Sequence, residues 1–218
     1  VPAFYDVPGP VYTNAPYPVL NTTTNEYFCS IQSAIDDSQT LAGHVITVAA
    51  GSYTEVVNVS KGVELRGANH NVSCTGTRVA ETIIAPVSGT PFTVSADGVT
   101  ISGFEVTAPT NAYGINTSGR SDLFLHHNYI HDVYTTGSGL NPYGIIYTGN
   151  TNANDVVFAD NCIDNVNNTA NLGKSGGGIV VGFSTDNGEV TGLVIERNRV
   201  TDVTTSDLAF ASGGRGAY

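Results

Sequence analysis

The chain has 218 residues, a length that fits one domain or two at roughly 100–200 residues each. Eight Lys and Arg against 19 Asp and Glu give a formal charge of −11, with only 12% charged residues, so a polyanion is repelled and nucleic-acid binding is not expected. The 40% apolar fraction suffices for a core, yet no apolar run is long enough to span a membrane. Methionine is absent, even at position 1, which is the pattern expected of a processed chain that has lost a secretory signal peptide. Lysine occurs only at Lys61 and Lys174, and Asn-x-Ser/Thr sequons begin at Asn21, Asn58, Asn71, Asn116 and Asn167. A secreted, cell-surface protein is therefore expected.

Residues 1–28 carry prolines at positions 2, 8, 10, 16 and 18 among Phe4, Tyr5, Tyr12, Tyr17 and Tyr27, so they cannot form a helix. They read as an extended Pro/Tyr-rich arm, either solvated or docked on the rest of the chain or on a neighbouring subunit. Ser30 can cap a short helix whose apolar positions are Ile31, Ala34 and Ile35. Residues 44–60 and Gly62–Gly67 read as strands around a Gly51-Ser-Tyr turn.

From residue 98 the chain repeats itself. Leu123–Val133, Val156–Val166 and Leu193–Val203 superimpose without gaps, and Val99–Val106 fits their first columns. The shared pattern alternates apolar and polar residues, then breaks at Asn128, Asn161 and Asn198, with Phe104 in that column of the earlier segment. The break predicts a turn with Asn in left-handed backbone. A second column follows in Tyr113-Gly-Ile, Tyr143-Gly-Ile and Gly177-Gly-Ile. Short β-branched runs between Gly, Asn and Thr make each repeat a coil of short strands, and stacked coils bring equivalent residues about 4.8 Å apart. Asn128, Asn161 and Asn198 then form a structural amide ladder, as do Asp132, Asn165 and Asp202.

On the opening block and the Asn-turn coils, residues 29–218 resemble the right-handed parallel β-helix proteins of the pectin-lyase-like superfamily. The resemblance implies an all-β right-handed β-solenoid, with cap and first coils over 29–97, Asn-turn coils over 98–218, and the short helix closing the first coil. The chain halts where a second strand would start: this open coil reads either as a chain cut short or, together with the arm, as a surface for head-to-tail stacking of copies, and stacking is the expectation. Cys29 and Cys74 flank the first coils and are expected to pair, a bridge worth about 4 kcal/mol in the chain-entropy account. Cys162, in the column of Tyr129 and Arg199, is then a free or intermolecular thiol.

Many proteins of that superfamily cleave polysaccharides, but the esterase, polygalacturonase and calcium-dependent lyase signatures have no match here. One weak catalytic constellation stands out: His127, Asp160 and Arg197 share a column, with His131 beside Asp164 and with His126 and Glu196 nearby. Tyr113, Tyr143 and Tyr147 are glycan-binding candidates. No cofactor or metal site is expected, since Asp155, Asp160 and Asp164 fit no calcium loop. The sequence thus points to an extracellular structural β-helix, a subunit or segment of a filament, surface layer or adhesin. The alternative is a carbohydrate-active β-helix, lyase-like or glycan-binding.

Overall fold

The computed structural model describes residues 17–110, 113–135, 141–148, 153–168, 176–182 and 190–205. Alternating burial along short strands winds the chain into a parallel β-solenoid. Its first sheet runs in the order β2 (Glu26–Phe28), β1 (Val19–Asn21), β3 (Val45–Val48), β6 (Glu64–Arg66), β9 (Thr100–Ser102), β12 (Leu123–His126), β16 (Val156–Ala159) and β20 (Val194–Glu196). The second stacks β4 (Gly51–Tyr53), β7 (Thr82–Ile84), β10 (Glu105–Ala108), β13 (Tyr129–Tyr134) and β17 (Cys162–Asn168). Both β21 (Arg199–Val200) and β22 (Val203–Thr205) pair with β17. The third holds β5 (Val57–Val59), β8 (Phe92–Val94), β11 (Tyr113–Ser118), β14 (Tyr143–Thr148) and β18 (Gly177–Gly182). A short pair, β15 (Ala153–Asn154) with β19 (Val190–Thr191), lies apart, and the one helix among the described residues is α1 (Ile31–Asp36).

Because coils stack in register, the core is built of columns. Ile46, Leu65, Ile101, Leu125, Phe158 and Ile195 follow one another on the first sheet. Tyr53, Ile84, Val106, Ile130 and Ile163 do so on the second, and Val57, Phe92, Ile115, Ile145 and Ile179 on the third. The repeated Gly-Ile pair has a steric cause. A Cβ on Gly144 would stand 2.5 Å from Ile163 Cγ2 and 2.8 Å from Gly178 O, and one on Gly114 would meet Ile130 at 2.6 Å.

The bends correct one expectation. The left-handed residues are His127, Asp160 and Arg197, with φ of 56°, 53° and 53°, and not the asparagines that follow them. Gly103, at φ 75°, holds the same place one coil earlier. Each Asn instead turns inward, where Asn128 and Asn161 are fully buried. Asn128 Nδ2 donates to Asn161 Oδ1 at 3.1 Å and to Ile101 O at 2.9 Å, and Asn161 Nδ2 donates to Asn198 Oδ1 at 2.9 Å and to Leu125 O at 2.9 Å. The same carbonyls accept the backbone N–H of the preceding coil's Asn, so the ladder satisfies groups that the bend would orphan.

The N-terminal end is closed. Residues 17–28, assigned above to the arm, include a β1–β2 hairpin that pairs antiparallel with β3, so the boundary at residue 28 falls inside the folded unit. Residues 1–16 lie outside the described ones. Helix α1 has Ser30 as N-cap, accepting from Ser33 N, and the Glu55 carboxylate takes the N–H groups of Ile31 and Gln32 at 2.9 Å each. Gln32 also uses its amide as a strand would, accepting from Asn58 N and donating to Asn58 O along the edge of β5.

Candidate functional site

Residues 67–81 leave the coil after β6 and run along the outside of the stack as a strap. Its root is firm. Buried Asn69 accepts Val79 N at 2.8 Å and donates to Glu81 at 2.8 Å, and Arg78 forms a two-fold ion pair with Glu81. The strap lies flat on Gly103, where a Cβ would stand 2.0 Å from His70 N. Farther along, Arg78 Nη1 donates to His127 O at 2.9 Å, and Cys74 is bonded to Cys162 on β17. The expected Cys29–Cys74 pairing is therefore wrong: Cys29 is free and exposed. Cys162 does share its column with Tyr129 and Arg199, but the strap reaches over it and leaves it buried. Sequence spacing could not reveal this, because the strap has no counterpart in the other coils.

Among the described residues the strap touches the bend column that His127, Asp160 and Arg197 do share only at the His127 carbonyl, and Arg197 at the far end of that column is exposed. Arg197 donates to both Asp160 oxygens at 2.9 and 2.8 Å and also pairs with Glu196. That hydrogen bonding holds Asp160 below its usual carboxylate range and raises Arg197 further, so neither is poised to exchange a proton. His126 and His127 touch through their Nδ1 atoms, and the Phe124 ring stacks on His126 at 4.0 Å. Burial pushes the His126 imidazole down to about 4 and lowers His127 as well. His126, on the adjoining strand, and His127 thus form an imidazole contact whose protonation burial disfavours, beside an ion pair of Asp160 and Arg197.

A second polar network occupies the outer face of the second sheet. His131 stands beside Asp164, as the repeats imply, but its ring nitrogens contact other carboxylates: Asp132 at 2.8 Å and Glu105 at 3.0 Å. Tyr134 donates to Asp132 at 2.7 Å, Asn165 Nδ2 donates to the same carboxylate oxygen at 2.7 Å, and Tyr129 stacks on His131 at 4.4 Å. These donors lower Asp132 despite its partial burial, which alone would raise it. Asp164 accepts from Thr201 at 2.6 Å. Asp202, at φ 51°, occupies the left-handed position of Asp132 and Asn165, whose φ values are 53° and 52°. The roles of Glu105 and Tyr134 were missed, because Glu105 reaches His131 from the coil before.

On the third sheet the Tyr113 and Tyr143 rings stack at 5.9 Å with planes 3° apart, and Asn141 donates to the Tyr143 hydroxyl. Tyr147 is not a surface residue: it is fully buried and donates to Arg120 O, which removes it from the glycan-binding candidates. A cleft of about 380 Å³ opens between the N-terminal hairpin and the strap, lined by Tyr17, Leu20, Tyr27, Thr47, Arg66 and His70 among others. Among the described residues no group of three or more His, Cys, Asp or Glu could hold a metal ion, and no helix is long and apolar enough to cross a membrane.

The described residues define a disulfide-stapled parallel β-solenoid with polar side-chain networks on its outer face. Over 119 residues the chain is 29% identical to a protein named cell surface glycoprotein from Methanothermus fervidus. That match covers 55% of this chain and 18% of the archaeal protein. No family model matches the chain, and no solved structure matches it.

Proposed function

We propose that this chain is an extracellular structural β-solenoid, a segment of a cell-surface protein of the layer, adhesin or filament kind. The similarity to the archaeal cell surface glycoprotein carries the reading. The disulfide suits an oxidising compartment, and the outer networks tie coils together in place of presenting free reactive groups. The earlier resemblance to right-handed pectin-lyase-like β-helices adds handedness and superfamily to the proposal. Head-to-tail growth would have to displace the hairpin from β3 and Gln32 from Asn58, so we favour a segment within a longer surface protein over the subunit of a homopolymer. Immunogold labelling of unpermeabilised source cells tests this. Gold on the envelope is expected, and label confined to the interior of sectioned cells would overturn it.

Glycan binding without cleavage is the second reading, supported by the parallel Tyr113 and Tyr143 rings on a rigid wall. Lyase chemistry finds less support, because Arg197 and His131 are both already held by carboxylates.

A further inference from the structure

The five sequons differ sharply in what the fold leaves accessible. Asn21 is fully buried: its Nδ2 donates to Thr40 and contacts His44, and its Oδ1 accepts the N–H groups of Thr23 and Thr24. Asn116 and Asn167 sit within β11 and β17, half-buried and paired to strands on both sides. Asn58 is exposed, but Gln32 holds its backbone and its Oδ1 accepts from Ser95. Only Asn71 is exposed outside any strand, in a turn of the strap three residues before Cys74. Its amide touches only the neighbouring His70 ring, and Ser73, the sequon hydroxyl, lies in the same turn with a local Thr75 contact.

We infer that Asn71 is an N-glycan acceptor, the one sequon that this fold presents for modification in its native state. The inference rests on the surface reading above, since it requires a chain that meets glycosylating enzymes. The donor is an oligosaccharide carried on a lipid phosphate. Asn71 Nδ2 forms the new C–N bond at the anomeric carbon, the C–O bond to phosphate breaks with its electron pair on the lipid phosphate, and one amide proton passes to a base. Nothing is oxidised or reduced. A glycan here would project from an exposed turn of the strap, outside every strand of the solenoid.

The test uses the purified full chain, folded and non-reduced, with an oligosaccharyltransferase, its lipid-linked oligosaccharide and a short Asn-x-Ser peptide as activity control. Peptide mass spectrometry should find occupancy at Asn71 at least about tenfold above that at Asn21, because reaching Asn21 requires opening the hairpin. Denaturation and reduction should erase that difference, and Asn71→Gln should abolish native-state transfer while leaving the circular dichroism unchanged. Transfer to Asn21, Asn58, Asn116 or Asn167 ahead of Asn71, or none at Asn71 while the peptide is modified, would overturn the inference. Surface location is read separately by immunogold, so the two ideas fail independently.

Discussion

At residue scale, the asparagines of the bends matter most for stability and the histidines beside them for its pH dependence. Asn128→Ala removes two donated hydrogen bonds, to Ile101 O and Asn161 Oδ1, and the side-chain acceptor of Phe104 N. Its cost should be about 2–3 kcal/mol, measured as a lower urea midpoint with unchanged slope. His126 has its folded-state value depressed to about 4 from 6.5, chiefly by burial and secondly by His127, against weaker opposing pulls from Glu64 and Asp160 and a further lowering by His70. Between those two values the unfolded chain binds a proton that the folded chain refuses. Stability should therefore be fully present above about pH 6.5 and fall as pH drops toward 4. His127 acts in the same direction, while the depressed Asp132 and Asp160 contribute a further loss at still lower pH. Denaturant titrations at pH 7 and pH 4.5 should show the fall, and His126→Gln should flatten it. Equal stability of the parent at both pH values would contradict the burial argument.

At element scale, the strap converts a stack of separable coils into one covalently closed body. Repeat proteins draw stability from nearest neighbours and can open from an end. Here the Cys74–Cys162 bond joins positions 88 residues apart, spanning the coils that carry Gly103 and His127. A closed loop of that length is worth about 4–5 kcal/mol by chain entropy. The Cys74→Ser, Cys162→Ser double variant should lose most of that and unfold over a broader range, whereas Cys29→Ser should change little because Cys29 is exposed and unbonded. Equal effects from the two would contradict the pairing.

At the scale of the whole molecule, much of the stack was legible in the sequence and its attachments were not. A solenoid repeats its environment in each coil, so Asn128, Asn161 and Asn198, or the Gly-Ile pairs, recur as visible columns. The local helix was legible for the same reason that any capped apolar run is, with Ser30 before Ile31, Ala34 and Ile35. The hairpin on β3, the strap and its disulfide each occur once and depend on contacts distant in sequence, so no periodicity announces them. Tyr147 shows the converse: it follows the Tyr143 surface column in sequence, yet it lies fully buried in register with Thr117. The polar clusters were located by column, but which partner each side chain chose required geometry, as His131 turning to Glu105 and Asp132 illustrates.

In the proposed role the chain is a folded, oxidised segment at the outside of a cell, and its three cysteines allow that to be read in one measurement. Intact source cells are treated with a membrane-impermeant maleimide, without and then with reductant, and the labelled peptides are mapped. Label on Cys29 alone before reduction, joined by Cys74 and Cys162 after it, is the predicted result. Label reaching Cys29 only after the cells are broken, or appearing on Cys74 or Cys162 without reductant, would contradict it.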